Sequence, residues 1–435
     1  MANGLKVRSN VAGMDSTSPM LSSYIKAVEQ MKALPSSDPR NWQQQALIHQ
    51  QHCPHGNWYF LPWHRAYLLA FEEICRDLSG NPDFALPYWN WTVNPSIPEP
   101  FWSGTLLDPT RVISSTDRIG AEFVGQSIID EILNEEDFEL FASLKPTGQN
   151  NTDEVWQRES GALALLERTP HNNIHNWISG NMASFLSPLD PVFWLHHCNI
   201  DRIWAEWNAR GRRNTDNILW ADFDFRQNFI HKNSTRYDVI VRDLVDVKQL
   251  GYSYDVLTQP QETPLLMERV LSRSASIKPQ IVTLDNLASF SVESSQMTIS
   301  SAPEKTSPRV LAFLKGVEPP KDLQVSVRVF LNCSYLSSKT PISDPHYVGN
   351  FGFFGVHAEQ EHNMGHHHHP DEEEHGTSHN MKFDFIFDLT KTIARLTEEA
   401  EMKSQLNVQL IPIPIAGRHV QSVEIKVEKV EIVYI

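Results

Sequence analysis

Two histidine-rich stretches carry residues whose types and spacing could hold a metal. The first, HCPHGNWYFLPWHRAYLLAFE at residues 52–72, sets His55 and His64 nine apart, with Cys53 nearby and Trp58, Tyr59, Phe60 and Trp63 between them. An imidazole in such apolar company carries a desolvation cost unless something satisfies it. The second, PHNNIHNWISGNMASFLSPLDPVFWLHHCNIDRIWAEW at 170–207, places His171 and His175 four apart, which on a helix puts both rings on one face. Farther along, His196 and His197 precede NIDRIWAEW, which again reads as helix. A lone histidine on an apolar face is more often a core residue bonded to a backbone carbonyl. Two separate clusters, each set among aromatic residues, point instead to metal.

Ligand type then narrows the metal. Zinc proteases usually carry H-E-x-x-H with the glutamate as general base, whereas here position 172 is asparagine. A facial-triad iron site wants a carboxylate, and the residues nearest these histidines are Asn, Gln, Trp and Phe. All-imidazole coordination suits copper, which stands at the top of the divalent affinity order.

The elements that must position these residues differ between the two halves of the chain. LSSYIKAVEQMKAL, RAYLLAFEEICRDL, IIDEILNEEDFELFASL and NIDRIWAEWNAR repeat apolar residues at three and four spacing, the mark of amphipathic helices. Pro-rich, aromatic connections such as NPDFALPYWNWTVNPSIPEPFW separate them, so a helical bundle with elaborate loops is expected. From about Leu257 the periodicity fades, and 257–310 reads as a linker. Beyond it QVSVRVFLNCSYL, MKFDFIFDL, SQLNVQLIPIPI and SVEIKVEKVEIVYI alternate apolar and polar residues, as the strands of a β-sandwich or barrel do. Within that second domain, HAEQEHNMGHHHHPDEEEHGTSH (357–379) has the composition of a solvated insert, and metal gathering is its weaker reading.

Composition excludes several classes. With 37 Lys and Arg against 53 Asp and Glu, the net charge is −16, which argues against nucleic acid as a partner and favours a small neutral substrate. No apolar run approaches the roughly 18 residues of a membrane span. Cys53, Cys75, Cys198 and Cys333 are too scattered for a disulfide framework, and the N-terminus lacks the pattern of a secretory signal, so a reduced, cytoplasmic setting is expected.

CPHGNWYFLPWHRAYLLAFE resembles the first copper motif of tyrosinases, catechol oxidases and molluscan hemocyanins. HNNIH followed by DPVFWLHHCNIDRIW is similar to their second, and LPYWNW (86–91) and VRSNV near the N-terminus extend the likeness over the first 210 residues. The resemblance implies a mainly α, four-helix-bundle dicopper domain at 1–256 and, after the linker, an all-β sandwich at 311–435. It implies two copper ions per chain: His49, His55 and His64 on copper A, with His52 the alternative to His49, and His171, His175 and His197 on copper B. His196 is then a supporting residue or a helix cap. The likeness further implies a thioether between Cys53 and His55, with Phe193 packed over a copper B imidazole. It also implies that Glu167 and Asn172 hold a water that takes the phenol proton.

The function so implied is oxidation of phenols and o-diphenols to o-quinones, with a phenolic substrate, dioxygen as co-substrate, no membrane and a homo-oligomer left open. Its rivals are a catechol or o-aminophenol oxidase without hydroxylation, a hemocyanin-like oxygen carrier and a zinc hydrolase. The strands from 381 onward resemble the β-domain that follows the copper domain in plant polyphenol oxidases. A phenylalanine of HYVGNFGFFG (346–355) in such a domain is expected to plug the copper pocket, while the small Ser184 is expected to leave its entrance open.

Overall fold

A computed structural model of the chain describes residues 4–148, 154–257, 272–276, 280–283, 288–293, 309–321, 323–355, 381–399, 405–415 and 423–435. The His-rich stretch 357–379 lies outside them. Five helices matter to the first half: α1 (Pro19–Ala33), α2 (Trp42–His52), α3 (Phe60–Ser79), α4 (Asn172–Ile178) and α5 (Val192–Ala209). Helix α3 is buried on nearly every face, which explains why its sequence is apolar almost all round. It stops at Gly80, whose φ of 72° lets its N–H return to the carbonyls of Arg76 and Asp77. One turn of π-helix, Glu167–His171, leads directly into α4. Pro170 inside that turn has no N–H to give, so the regular ladder cannot run through it.

A buried charge network ties α3 to α5. Arg65 on α3 donates from Nε to Asp201 Oδ1 on α5 at 2.5 Å, and Arg8 reaches both Glu72 and Asp201 at 3.1 Å. Tyr252 and Tyr254 donate their hydroxyls to Asp201 Oδ2 as well. These tyrosines lie on a short strand, β4 (Tyr252–Tyr254), paired in parallel with β1 (Lys6–Arg8); β2 (Asp224–Ile230) and β3 (Arg236–Ile240) form a separate hairpin.

The second half is a sandwich of two antiparallel sheets, as expected. Its strands are β5 (Ser272–Ser276), β6 (Gln280–Thr283), β7 (Ala288–Glu293), β8 (Val310–Val317), β9 (Val325–Leu331), β10 (Tyr347–Phe351), β11 (Phe383–Asp388), β12 (Gln405–Pro414), β13 (Glu424–Val427) and β14 (Lys429–Tyr434). One sheet runs β10-β9-β12-β7, the other β11-β8-β14-β5, and β6 pairs with β13. Three of these strands fall inside 257–310, read from the sequence as a linker. Two of them, β5 and β7, are the outermost strands of their sheets; SRSAS of β5 carries almost no apolar residue, whereas ASFSVE of β7 does alternate and is a strand signal that the linker reading passed over. A helix, α6 (Thr390–Glu398), covers one end.

The sandwich is stitched to the helical domain through main chain and charge. Leu163 N–H donates to Asp384 O (2.8 Å) and Ile386 N–H to Leu163 O (3.1 Å), so one residue of the helical domain extends the sheet beside β11. Arg309 grips both oxygens of Glu135, at 2.8 and 2.5 Å.

Candidate dicopper site

Six of the predicted histidines come together in two groups. His49 on α2, His55 in the following loop and His64 on α3 form one; His171 at the end of the π turn, His175 on α4 and His197 on α5 form the other, and His196 on α5 lies within ligand distance of that second group as well. Within each group the ring nitrogens lie within 4.8 Å of one another. The structure therefore brings His49, and not His52, to the first group.

Partners at the far side of each ring fix which nitrogen faces inward. Nδ1 of His49, His64 and His175 lies 2.7, 2.8 and 2.5 Å from the carbonyls of Phe185, Phe60 and Met182, which can only accept. His171 Nδ1 donates to Asn172 Oδ1 (2.8 Å) and His55 Nδ1 to Glu167 Oε1 (3.1 Å). With the proton on Nδ1, Nε2 is a bare acceptor in all five rings. Yet His55 Nε2 faces His49 Nε2 at 3.5 Å, and His175 Nε2 faces His197 Nε2 at 3.4 Å. Nε2 of His64 and of His171 is buried with no hydrogen-bond partner among the described residues. In the first group both facing nitrogens are bare, and in the second the bare His175 Nε2 meets His197 Nε2; imidazole nitrogens gathered this way fit a cation held within each group. Burial pushes His49 and His171 down to about 3 and the other four rings well below the ordinary imidazole range, so all six are neutral, as metal ligands must be.

Aromatic rings wall the site. Phe193 lies 4.2 Å from the His197 ring, centroid to centroid, and His64 stacks on His197 at 4.3 Å, joining the two groups. His196, expected to be a bystander, is fully buried, stacks on His171 at 5.4 Å, and has neither ring nitrogen hydrogen-bonded among the described residues. Sequence reasoning also passed over Phe185, whose ring lies 5.8 Å from His55 and whose carbonyl orients His49. Its only signal was a place beside Ser184.

Glu167 is fully buried rather than a surface residue. Its Oε1 accepts from Gly56 N–H (2.8 Å) and from His55; its Oε2 accepts from Ser143 Oγ (2.5 Å). Burial pushes this carboxyl up to about 8, against the opposing pull of the Ser143 and Gly56 bonds. Asn172 uses its oxygen on His171 and its Nδ2 on Gly352 O (3.0 Å). Each residue thus orients one imidazole directly. Cys53 ends α2, buried two residues before His55.

Phe354 closes the pocket. It follows β10 on a short strap, and its ring lies 4.4 Å from His175, 4.6 Å from His55 and 5.5 Å from His171. Phe353 turns to the opposite side and packs on Phe383 and Phe385 in the sandwich, as alternation along an extended chain requires. The entrance expected beside Ser184 is therefore covered: Gly355 N–H donates to Ala183 O (3.3 Å), and Phe354 lies 5.5 Å from Phe185.

A helical bundle that converges two imidazole trios on a paired-metal centre defines a dinuclear, type-3 copper protein. Residues 39–122 and 108–210 match the common central domain of tyrosinase. The chain is 29% identical to tyrosinase HcTyr1 of Hahella sp. (strain CCB-MM4) over 98% of this chain and 99% of that protein. To the chloroplastic polyphenol oxidase of Spinacia oleracea it is 32% identical over 60% of its length, spanning only 51% of that longer relative. The latent apple tyrosinase has the same fold, with a TM-score of 0.71 at 23% identity over 100% of this chain and 98% of that one.

Proposed function

We propose that the chain is a phenol oxidase held latent by its own sandwich domain, converting phenols and o-diphenols to o-quinones with dioxygen. The observation that carries this is the convergence of six neutral imidazoles in two trios directly beneath a seated aromatic ring. His49, His55 and His64 would hold one copper ion, and His171, His175 and His197 the other. Copper supplies the site where dioxygen is bound and reduced. The chain supplies the rest. Phe185 and Phe193 give a flat substrate apolar walls and exclude bulk water. When the strap leaves, Asn172 Nδ2 loses Gly352 O and is free to hold a water against the incoming phenol. Glu167, the buried carboxyl bonded to His55, is the group to take the phenolic proton once opening of the pocket relieves the burial that raises it. The four cysteines are buried and free of disulfides, which supports the reading of a cytoplasmic protein.

The sealed pocket also suits a hemocyanin-like carrier, and one experiment decides between the two. The full chain loaded with two coppers and carrying Phe354→Ala, which vacates the ring seat, is assayed for oxygen uptake on tyramine, catechol and o-aminophenol. Sustained uptake that is abolished in His64→Ala and His175→Ala supports the oxidase; reversible oxygenation without turnover supports the carrier.

A further inference from the structure

His55 stands apart from the other five rings because no helix carries it; it lies in the loop between α2 and α3, where Gly56 at φ 70° turns the chain. Its direction must come from side chains. Cys53 is a free thiol in the copper-free chain, and the polar contact at the outer edge of the ring is Nδ1 on Glu167 Oε1 at 3.1 Å. Three of the other rings are held at Nδ1 by main-chain carbonyls, which cannot swing. A glutamate side chain, rotatable along its length, can.

What steadies this carboxyl is its second oxygen. Gly56 N–H donates at 2.8 Å to the same Oε1 that serves His55, so both of those contacts pivot on one atom. Ser143 Oγ meets the other oxygen, Oε2, at 2.5 Å. With Ala142 O at 2.6 Å, the hydroxyl can donate to the carboxyl, or donate to the carbonyl and accept from the carboxyl. The Oγ–Oε2 bond is kept either way.

Ser143 is itself firmly seated. It pairs with Leu163 in an antiparallel bridge, Leu144 N–H donates to Ala162 O (3.0 Å), and Leu163 pairs in turn with Phe385 of β11. The fully buried hydroxyl therefore stands on backbone anchored in both domains, as a support for a metal ligand should.

We propose that Ser143 is the positioning residue of the first trio: its hydroxyl fixes Glu167, and Glu167 in turn presents His55 with Nε2 turned inward to copper. Without that hydroxyl the carboxyl pivots on Oε1 and the ring loses its set direction. The second trio, oriented through Met182 O and Asn172, does not depend on it. This rests on the dicopper reading of the site.

The test titrates the full copper-free chain with cuprous ion against a chromogenic chelator, which reads a binding constant for each copper without turnover. Ser143→Ala should weaken one of the two by about tenfold, the low end for an orienting partner because it acts at one remove. Ser143→Thr keeps a hydroxyl and should bind as the native chain does. Ser143→Val has threonine's shape without the hydroxyl and should match alanine, whereas a packing fault would treat threonine and valine alike. In His55→Ala, where no ring is left to be aimed, adding Ser143→Ala should change neither constant by more than about twofold. No weakening with alanine, a fall in both constants, valine binding as threonine does, or an effect that survives the loss of His55 overturns the proposal. A native chain that takes up fewer than two cuprous ions overturns the dicopper reading instead. Should threonine and valine prove too bulky to fold, alanine with and without His55 decides alone.

Discussion

His49 and His171 illustrate what the site asks of single residues. In the fold both are held neutral down to about 3, whereas in an unfolded chain they protonate near the ordinary value of 6.5. Below that value the unfolded state binds more protons, so folding stability falls as pH falls. The copper-free chain should therefore lose thermal stability steadily from about pH 6.5 toward 3, measured as the unfolding midpoint by calorimetry. A midpoint flat across that window would show the rings to be protonated in the fold. Cys53 offers a second check at this scale. A thioether to His55 removes one hydrogen from sulfur and one from the ring carbon, so the copper-loaded protein should weigh two hydrogens less than its sequence, and Cys53→Ala should not.

At the scale of elements, the two trios keep their spacing because α3 and α5 are fastened through Asp201. Asp201→Asn would leave the guanidinium groups of Arg65 and Arg8 undercompensated in a fully buried place. The expected cost is about 3–5 kcal/mol of unfolding free energy, with loss of copper from both trios, readable by denaturant titration and metal count. The long ligand-bearing helices were legible in the sequence because RAYLLAFEEICRDL and NIDRIWAEWNAR carry a helical period beside motif histidines. The π turn was not: Pro170 reads as a breaker, and only tertiary packing makes the chain pass through it into α4. Likewise SRSAS of β5 gave no signal, since an outermost strand is held by backbone pairing and needs no regular apolar face, whereas the alternation of ASFSVE in β7 was there to be read. Three phenylalanines of HYVGNFGFFG compete for one seat, and alternation past Gly352 decides that Phe354, rather than Phe353, takes it.

Across the whole molecule, access to the metals is governed by the sandwich. Phe354→Ala in the intact chain removes the ring while leaving the strap bonded, so small catechols should gain entry and kcat/KM should rise by about tenfold or more. Bulky phenols should gain far less, because the strap backbone still spans the mouth. Oxygen uptake on 4-methylcatechol against a bulky catechol measures the difference, and equal gains would show that the ring alone is the barrier.

The π turn belongs to both halves at once. Glu167 orients His55 and His171 belongs to the second trio, while Arg168 and Thr169, between them in sequence, clasp Asn350 of the strap. Two binding events that share one five-residue turn must influence each other, and thermodynamics makes that influence mutual. Whatever copper occupancy does to the grip on the sandwich, losing the sandwich does in reverse to the hold on copper. The outer rim can thus report how full the centre is, and a protease probing the seam would distinguish a charged molecule from an empty one.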